Sequence, residues 1–250
     1  MISFDNVQVV ELFHVAFLDV LAKRVDRTRY VLKGGANLRF FFNSLRYSED
    51  IDLDLCGEQP WRLQEKVDAL LTGGPLHLIL RAAGLRIAEV SPHKQTETTQ
   101  RWKVAIEHSS GAARTKIEFS NRGDVDPRRR VDAVPQRIVS AYALRAPAVQ
   151  HYVDDAPAEQ KIAALAYRSE TQARDIFDLD LLLRQRPLAV GVVDPELLGK
   201  AAEIALQLPY GVFEDQVLSF LEQGARELYE GPEAWETIQV FVADSLEKAR

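Results

Sequence analysis

Three aspartates alternate with three apolar residues in Asp50-Ile51-Asp52-Leu53-Asp54-Leu55. A period of two is strand geometry, so the carboxylates leave one face and the apolar side chains the other. Aspartate is disfavoured in strands, and stacked carboxylates repel one another unless something cationic sits among them. The chemistry that suits such a face is capture of a divalent metal, Mg²⁺ before Mn²⁺. Hard oxygen ligands would share it with the phosphates of a substrate. Upstream, Gly34-Gly35 separates the short apolar run Val31-Leu32-Lys33 from Leu38, Phe41, Phe42 and Leu45, which recur at helical spacing. Glycine there permits unusual backbone angles and close approach by a phosphate. The N–H groups that open the following helix favour anions.

We therefore expect a buried strand ending at Lys33, a glycine loop, a helix over about 37–45 and a strand over 50–55. A phosphate cradle followed by a metal-holding Asp-x-Asp is the layout of a nucleotidyl-transfer site. The surrounding residues make the pattern more specific. Lys33-Gly34-Gly35, then Arg46-x-Ser48-x-Asp50-x-Asp52-Leu53, resembles the first motif of the bacterial AbiEii/AbiGii toxin-type nucleotidyltransferases. These belong to the DNA polymerase β-like superfamily and include toxins of MenT type. A lone Gly-Gly or a lone Asp-x-Asp is weak evidence; the two together, with Arg and Ser just before the acids, are strong.

The resemblance implies an α+β fold: a polymerase β-like nucleotidyltransferase core, a mixed sheet with flanking helices, plus a C-terminal α-helical half. It implies that Asp50 and Asp52 are catalytic metal ligands, and that Lys33, Gly34, Gly35, Arg46 and Ser48 bind the nucleotide. The superfamily carries a third carboxylate on a neighbouring strand. Glu118 in Lys116-Ile117-Glu118-Phe119-Ser120 matches it in type and position, with a surface glutamate the competing reading. Lys161 followed by Arg174-Asp175-Ile176-Phe177-Asp178-Leu179 resembles the family's later motifs. Lys161 and Asp175 then count as catalytic and Arg174 as nucleotide-binding. Asp175 and Asp178 stand one helical turn apart and can point the same way. Asp178 reads as a structural partner, and Asp180 is expected to face solvent.

The implied reaction is transfer of a nucleoside monophosphate from an NTP to RNA, the tRNA 3′ end in the MenT branch, with release of pyrophosphate. A separate antitoxin is the implied protein partner. Ser48 matches a serine that is phosphorylated in some silenced relatives. Three rivals stay open: a small-molecule acceptor, kinase-like use of the γ-phosphate, and a binding module with a decayed site.

Around these motifs we expect one core domain over 1–153 and an α-helical domain over 154–250. Val10, Phe13, Phe17, Leu18 and Leu21 share one face of a helix over about 6–25, where His14 is incidental. A second helix is expected over 59–71, ended by Gly73-Gly74-Pro75, then a helix over 77–83 and a strand over 85–90. Arg101–Glu107 and Arg114–Ser120 alternate about a turn and read as a hairpin. Lys103, Arg114, Lys116 and Arg122 face triphosphate, RNA or solvent, solvent being the expectation for any one of them. Residues 124–136, with Arg128-Arg129-Arg130, read as a solvated loop, and 138–153 as short strands or irregular structure. Pro157 and Glu159 open the helical half, in which Lys161, Leu165 and Arg168 share a face. Three amphipathic helices then follow over 194–207, 212–229 and 232–248.

Composition excludes other classes. The chain has 250 residues and a single cysteine, Cys56, so no internal disulfide framework exists, which suits a reducing cytoplasm. No apolar run approaches a membrane span, and the start lacks the basic leader of a signal peptide. The net charge of −6 offers no global attraction to nucleic acid, so such contact needs a local basic patch.

Overall fold

A computed structural model of the chain describes residues 4–121, 123 and 125–250; Arg122 and Asp124 lie outside them. The chain divides into two compact units. One runs to Phe41 and resumes over Tyr47–Tyr152; the other combines Phe42–Arg46 with Val153–Arg250.

The first unit runs α1 (Asn6–Leu21), β1 (Tyr30–Lys33), α2 (Gly34–Phe41), β2 (Ile51–Leu55), α3 (Pro60–Thr72) and α4 (Gly74–Ala82). There follow β3 (Arg86–Gln95), β4 (Thr99–His108), β5 (Gly111–Ser120), β6 (Arg129–Ala133), α5 (Gln136–Val139) and β7 (Ala148–Tyr152). Asp5 caps α1 through a reciprocal pair of bonds with Gln8, which fixes where the helix begins. The seven strands form one mixed sheet in the order β3-β4-β5-β2-β1-β7-β6. β2 lies parallel to β5 and β1 parallel to β7, and the other neighbours are antiparallel.

The sheet's apolar alternation builds the core. Ile51, Leu53 and Leu55 of β2, Trp102, Val104 and Ile106 of β4, and Ile117 and Phe119 of β5 are buried in one cluster with Leu12, Phe13 and Phe17 of α1. Each such side chain contributes about 1.5–3 kcal/mol by leaving water. α1 packs on β4 and β5, with α3 and α4 beside it. The residues between the apolar ones, Asp52 and Asp54 among them, remain on the other face of the sheet.

Four expectations change. The glycine pair is the first turn of α2 rather than a loop, and α2 stops at Phe41, with Asn43 in the left-handed region at φ 59°. Residues 42–45, read as helix, therefore leave it. Gly73 ends α3, but Gly74-Pro75 at once opens α4, since proline is tolerated in a first helical turn. The 124–136 stretch contains β6, an edge strand exposed at four of its five positions, which is why it shows no hydrophobic period. Its arginines are paired: Arg128 with Asp126, Arg130 with Asp132.

The second unit is helical: α6 (Ala156–Tyr167), α7 (Ala173–Gln185), α8 (Pro195–Ala205), α9 (Tyr210–Gln216) and α10 (Pro232–Ala249). α10 packs on α7 and α8, and α6 packs on the same two helices. Phe213 of α9 stacks on Trp235 of α10 with ring centroids 4.5 Å apart. Residues 42–46 join this unit through their backbone. The Gln185 amide donates to the Phe42 carbonyl at 2.7 Å, and the Glu222 N–H donates to the Leu45 carbonyl at 3.0 Å. Among the described residues no helix is long and apolar enough to cross a membrane.

Candidate active site

On the first unit, strand register assembles the acids. Asp52 of β2 lies beside Glu118 of β5 in the parallel pair, and Lys33 of β1 lies opposite Asp52 in the antiparallel one. Residues so matched leave the same face about 5 Å apart. Gly34 backs directly onto this point. Its φ is +67°, and a Cβ there would stand 3.0 Å from Asp52 Oδ2. Glycine is therefore required twice over, by conformation and by the carboxylate's approach.

Each neighbouring acid already has a cation. Asp50 precedes the strand rather than starting it; its Oδ1 accepts the Lys116 N–H at 3.1 Å and its Oδ2 meets Lys116 Nζ at 2.7 Å. Glu118 accepts from Arg101 Nε at 2.7 Å. Asp54, the third acid of the alternation, accepts from Lys33 Nζ at 2.5 Å and from the Tyr152 hydroxyl at 2.7 Å. Burial pushes the Tyr152 phenol well above its ordinary range, and the Asp54 carboxylate pushes the same way.

Among the described residues no group of three or more His, Cys, Asp or Glu side chains is arranged to hold a metal ion. Of the trio Asp50, Asp52 and Glu118 read from the sequence, register sets Asp52 beside Glu118, while Lys116 holds both oxygens of Asp50. The pair that register does bring together, Asp52 and Glu118, fits a hard divalent cation that takes its other ligands from water and phosphate.

The loop before β2 is pinned from two sides. The Ser48 hydroxyl donates to the Asp50 carbonyl at 2.7 Å. The Thr115 hydroxyl donates to the Glu49 carbonyl at 2.7 Å, and His14 Nε2 lies 2.8 Å from that hydroxyl oxygen. Since Thr115 has given its proton to Glu49, His14 must donate through an Nε2–H. Burial lowers the His14 pKa to about 3, which keeps the ring neutral. His14 thus helps hold the motif loop, a role that its place in an apolar helix hid.

On the second unit the later motifs form a buried ionic cluster. Lys161 Nζ lies 2.8 Å from Asp175 and 2.6 Å from Asp178. Asp178 also receives Arg46, with Nη2 at 3.1 Å from Oδ1 and 2.8 Å from Oδ2. Arg168 Nη1 stands 3.4 Å from Asp175. Burial pushes Asp178 toward its neutral form, but Arg46 and Lys161 together reverse this and leave its pKa below the usual aspartate value. Arg174 is half-buried on α7. Asp180, expected in solvent, is instead buried, with Arg184 Nε donating to it at 2.8 Å.

Residues 16–238 match the family model described as "Nucleotidyl transferase AbiEii toxin, Type IV TA system". The chain belongs to the AbiEii family. Its fold is that of solved relatives. A protein from H. pylori described as a nucleotidyltransferase is 17% identical with a TM-score of 0.59, the match covering 100% of this chain and 99% of that one. JHP933 from Helicobacter pylori is 18% identical with a TM-score of 0.56, covering 98% and 96%. No curated protein matches the chain. The α+β nucleotidyltransferase core expected from the sequence is thus the fold of this AbiEii member, and its family is that of type IV toxin–antitoxin nucleotidyltransferases.

Proposed function

We propose that this AbiEii member moves a nucleoside monophosphate from an NTP to an RNA acceptor, the 3′ end of tRNA, and so acts as the toxin paired with a cognate antitoxin. The observation that carries this reading is the register match of Asp52 with Glu118, backed by Gly34. Two adjacent carboxylates beside a helix-opening glycine pair suit a Mg²⁺-bound triphosphate, with Mn²⁺ as a substitute.

Asp52 and Glu118 would hold the cation, with Asp50 joining them by exchanging its Lys116 contact. When bound, the ion supplies charge neutralisation at the α-phosphate and the departing oxygen. The N–H groups of Gly34 and Gly35, at the start of α2, donate to phosphate oxygens. Ser48 keeps its hydroxyl on the Asp50 carbonyl and so shapes the loop that presents Asp50. The acceptor hydroxyl gives its proton to water as its oxygen bonds to the α-phosphorus, the bond from that phosphorus to the bridging oxygen of the β-phosphate breaks, and pyrophosphate leaves. In the helical unit Asp175 and Asp178 fix the Lys161 ammonium, and Asp178 also holds Arg46.

The test is incubation of purified protein with Mg²⁺, total RNA and each α-labelled NTP in turn, with Asp50→Ala and Asp52→Ala alongside. Label should enter a tRNA-sized band, and each variant should lower it by at least about a hundredfold. Absence of label with every α-labelled NTP sinks the reading. Label arriving only from γ-labelled NTP would replace it with kinase chemistry.

A further inference from the structure

Across the face that carries Asp52 and Glu118, the two middle strands set acids and the strands on either side set cations. Register sets one line of residues: Lys94 opposite Arg101, Arg101 opposite Glu118, Glu118 beside Asp52, and Asp52 opposite Lys33. The adjacent line pairs Ser91 with Lys103 and Lys103 with Lys116, whose ammonium meets Asp50. Arg114 continues the same face of β5, opposite Ala105. The β3-β4-β5 side thus collects Lys94, Arg101, Lys103, Arg114 and Lys116. Its acids are Glu89, Glu107 and Glu118; Glu107 is tied to Arg86 and Glu118 to Arg101.

Two of these matches set cation against cation, Lys103 with Lys116 and Lys94 with Arg101. Like charges directly opposite in an antiparallel pair are destabilising. Lys116 and Arg101 are relieved by Asp50 and Glu118. Lys94, Lys103 and Arg114 are exposed, and among the described residues no acid pairs with them. In a chain of net charge −6 this concentration runs against the whole. The face is also polar: the exposed large apolar side chains, such as Trp61, Leu78 and Val131, all lie outside residues 86–120. A protein partner would be met by an apolar centre, and this face has none. A polyanion needs only the cations.

We propose that the β3-β4-β5 face is the track for the phosphodiester backbone of the acceptor RNA. Lys94, Lys103 and Arg114 take phosphates, and the strand's end arrives at Asp52 and Glu118. The inference rests on RNA being the acceptor. Backbone contacts position a nucleic acid without reading its sequence, so affinity for this face is steeply salt-dependent and sequence-tolerant.

The experiment measures binding of a fluorescein-labelled single-stranded RNA of mixed sequence to the full chain by anisotropy over a salt series. It compares the unaltered protein with the triple variant Lys94→Gln/Lys103→Gln/Arg114→Gln. Losing three phosphate contacts should flatten the slope of log affinity against log salt by about 2, at about 0.7 per contact on a single strand. Binding of NTP with Mg²⁺ should be unchanged, which shows that the variant is folded. An unchanged slope overturns the assignment and is the result expected if the face serves an acidic protein instead. Unaltered protein that binds NTP but no RNA overturns it too. RNA binding with the predicted slope change, but no label transferred from any NTP, would support the face and fail the proposed reaction.

Discussion

The acids of the sheet and the acids of the helical unit have the same chemistry in opposite surroundings. On the sheet, the side chains of Lys116, Arg101 and Lys33 that meet Asp50, Glu118 and Asp54 are 43%, 30% and 25% exposed. In the helical unit Asp175 and Asp178 are fully buried, and the side chains of Lys161 and Arg46 are 11% and 3% exposed. Ion pairs open to water are worth about 0–1 kcal/mol, so these partly open pairs would be cheaper to exchange for a phosphate or metal ion than buried ones. Breaking a buried pair by removing one partner costs about 3–5 kcal/mol, because the other charge is left stranded. The first set is built to let go and the second to stay.

The contrast is broken most forcefully at Asp178. Asp178→Ala removes the buried acid that Arg46 and Lys161 share and should lower unfolding free energy by about 3–5 kcal/mol, read from urea denaturation. Because its folded pKa is depressed, the stability Asp178 contributes is complete above the unfolded value of about 3.9 and is lost as pH falls through the lower folded value. Acid unfolding below about pH 4 should therefore be shallower in the variant. A loss under about 1 kcal/mol would mean that the buried cluster is no firmer than a surface pair.

Gly34→Ala probes the boundary between fixed and exchangeable. An L side chain at φ +67° costs about 1–2 kcal/mol, and its Cβ would press on Asp52 Oδ2 from 3.0 Å. Stability should fall by that amount while transfer falls further, since the carboxylate itself is displaced. Equal losses in both would show that the glycine serves the fold alone. The smallest effect belongs to Lys116→Gln, which should change stability by under about 1 kcal/mol in the same denaturation assay. A larger loss would place Asp50 with the locked acids.

How much was legible depended on whether a residue's partner was near in sequence. The alternation over 50–55, the hairpin and the amphipathic face of α1 are local patterns, and each formed where it was read, to within a few residues. The one-turn spacing of Asp175 and Asp178 likewise brought both to Lys161. What stayed hidden needed distant chain. Nothing beside His14 announces Thr115, and nothing beside Glu118 announces Arg101 across the hairpin. Asp180 looked like surface because its partner Arg184, one turn on, is held by a distant ring: the guanidinium stacks on Phe241 at 3.8 Å. The glycine pair was misread for a physical reason: a positive φ at Gly34 can start a helix as readily as shape a loop. For Asp54, the alternation itself was the available signal.

A ribosome delivers the motif stretch long before it delivers what holds that stretch in place. The Lys116 N–H that fixes Asp50 lies 66 residues downstream, and the Asp178 that clasps Arg46 lies 132 residues downstream. A nascent chain halted after β2 carries Gly34, Arg46, Asp50 and Asp52 in order, yet has neither Glu118 beside Asp52 nor an acid for Arg46. The first unit can complete its sheet once β7 has emerged. Residues 42–46, although translated early, take their place only when the helices that follow Val153 have been made. The motif residues of the chain are thereby made well before the partners that hold them.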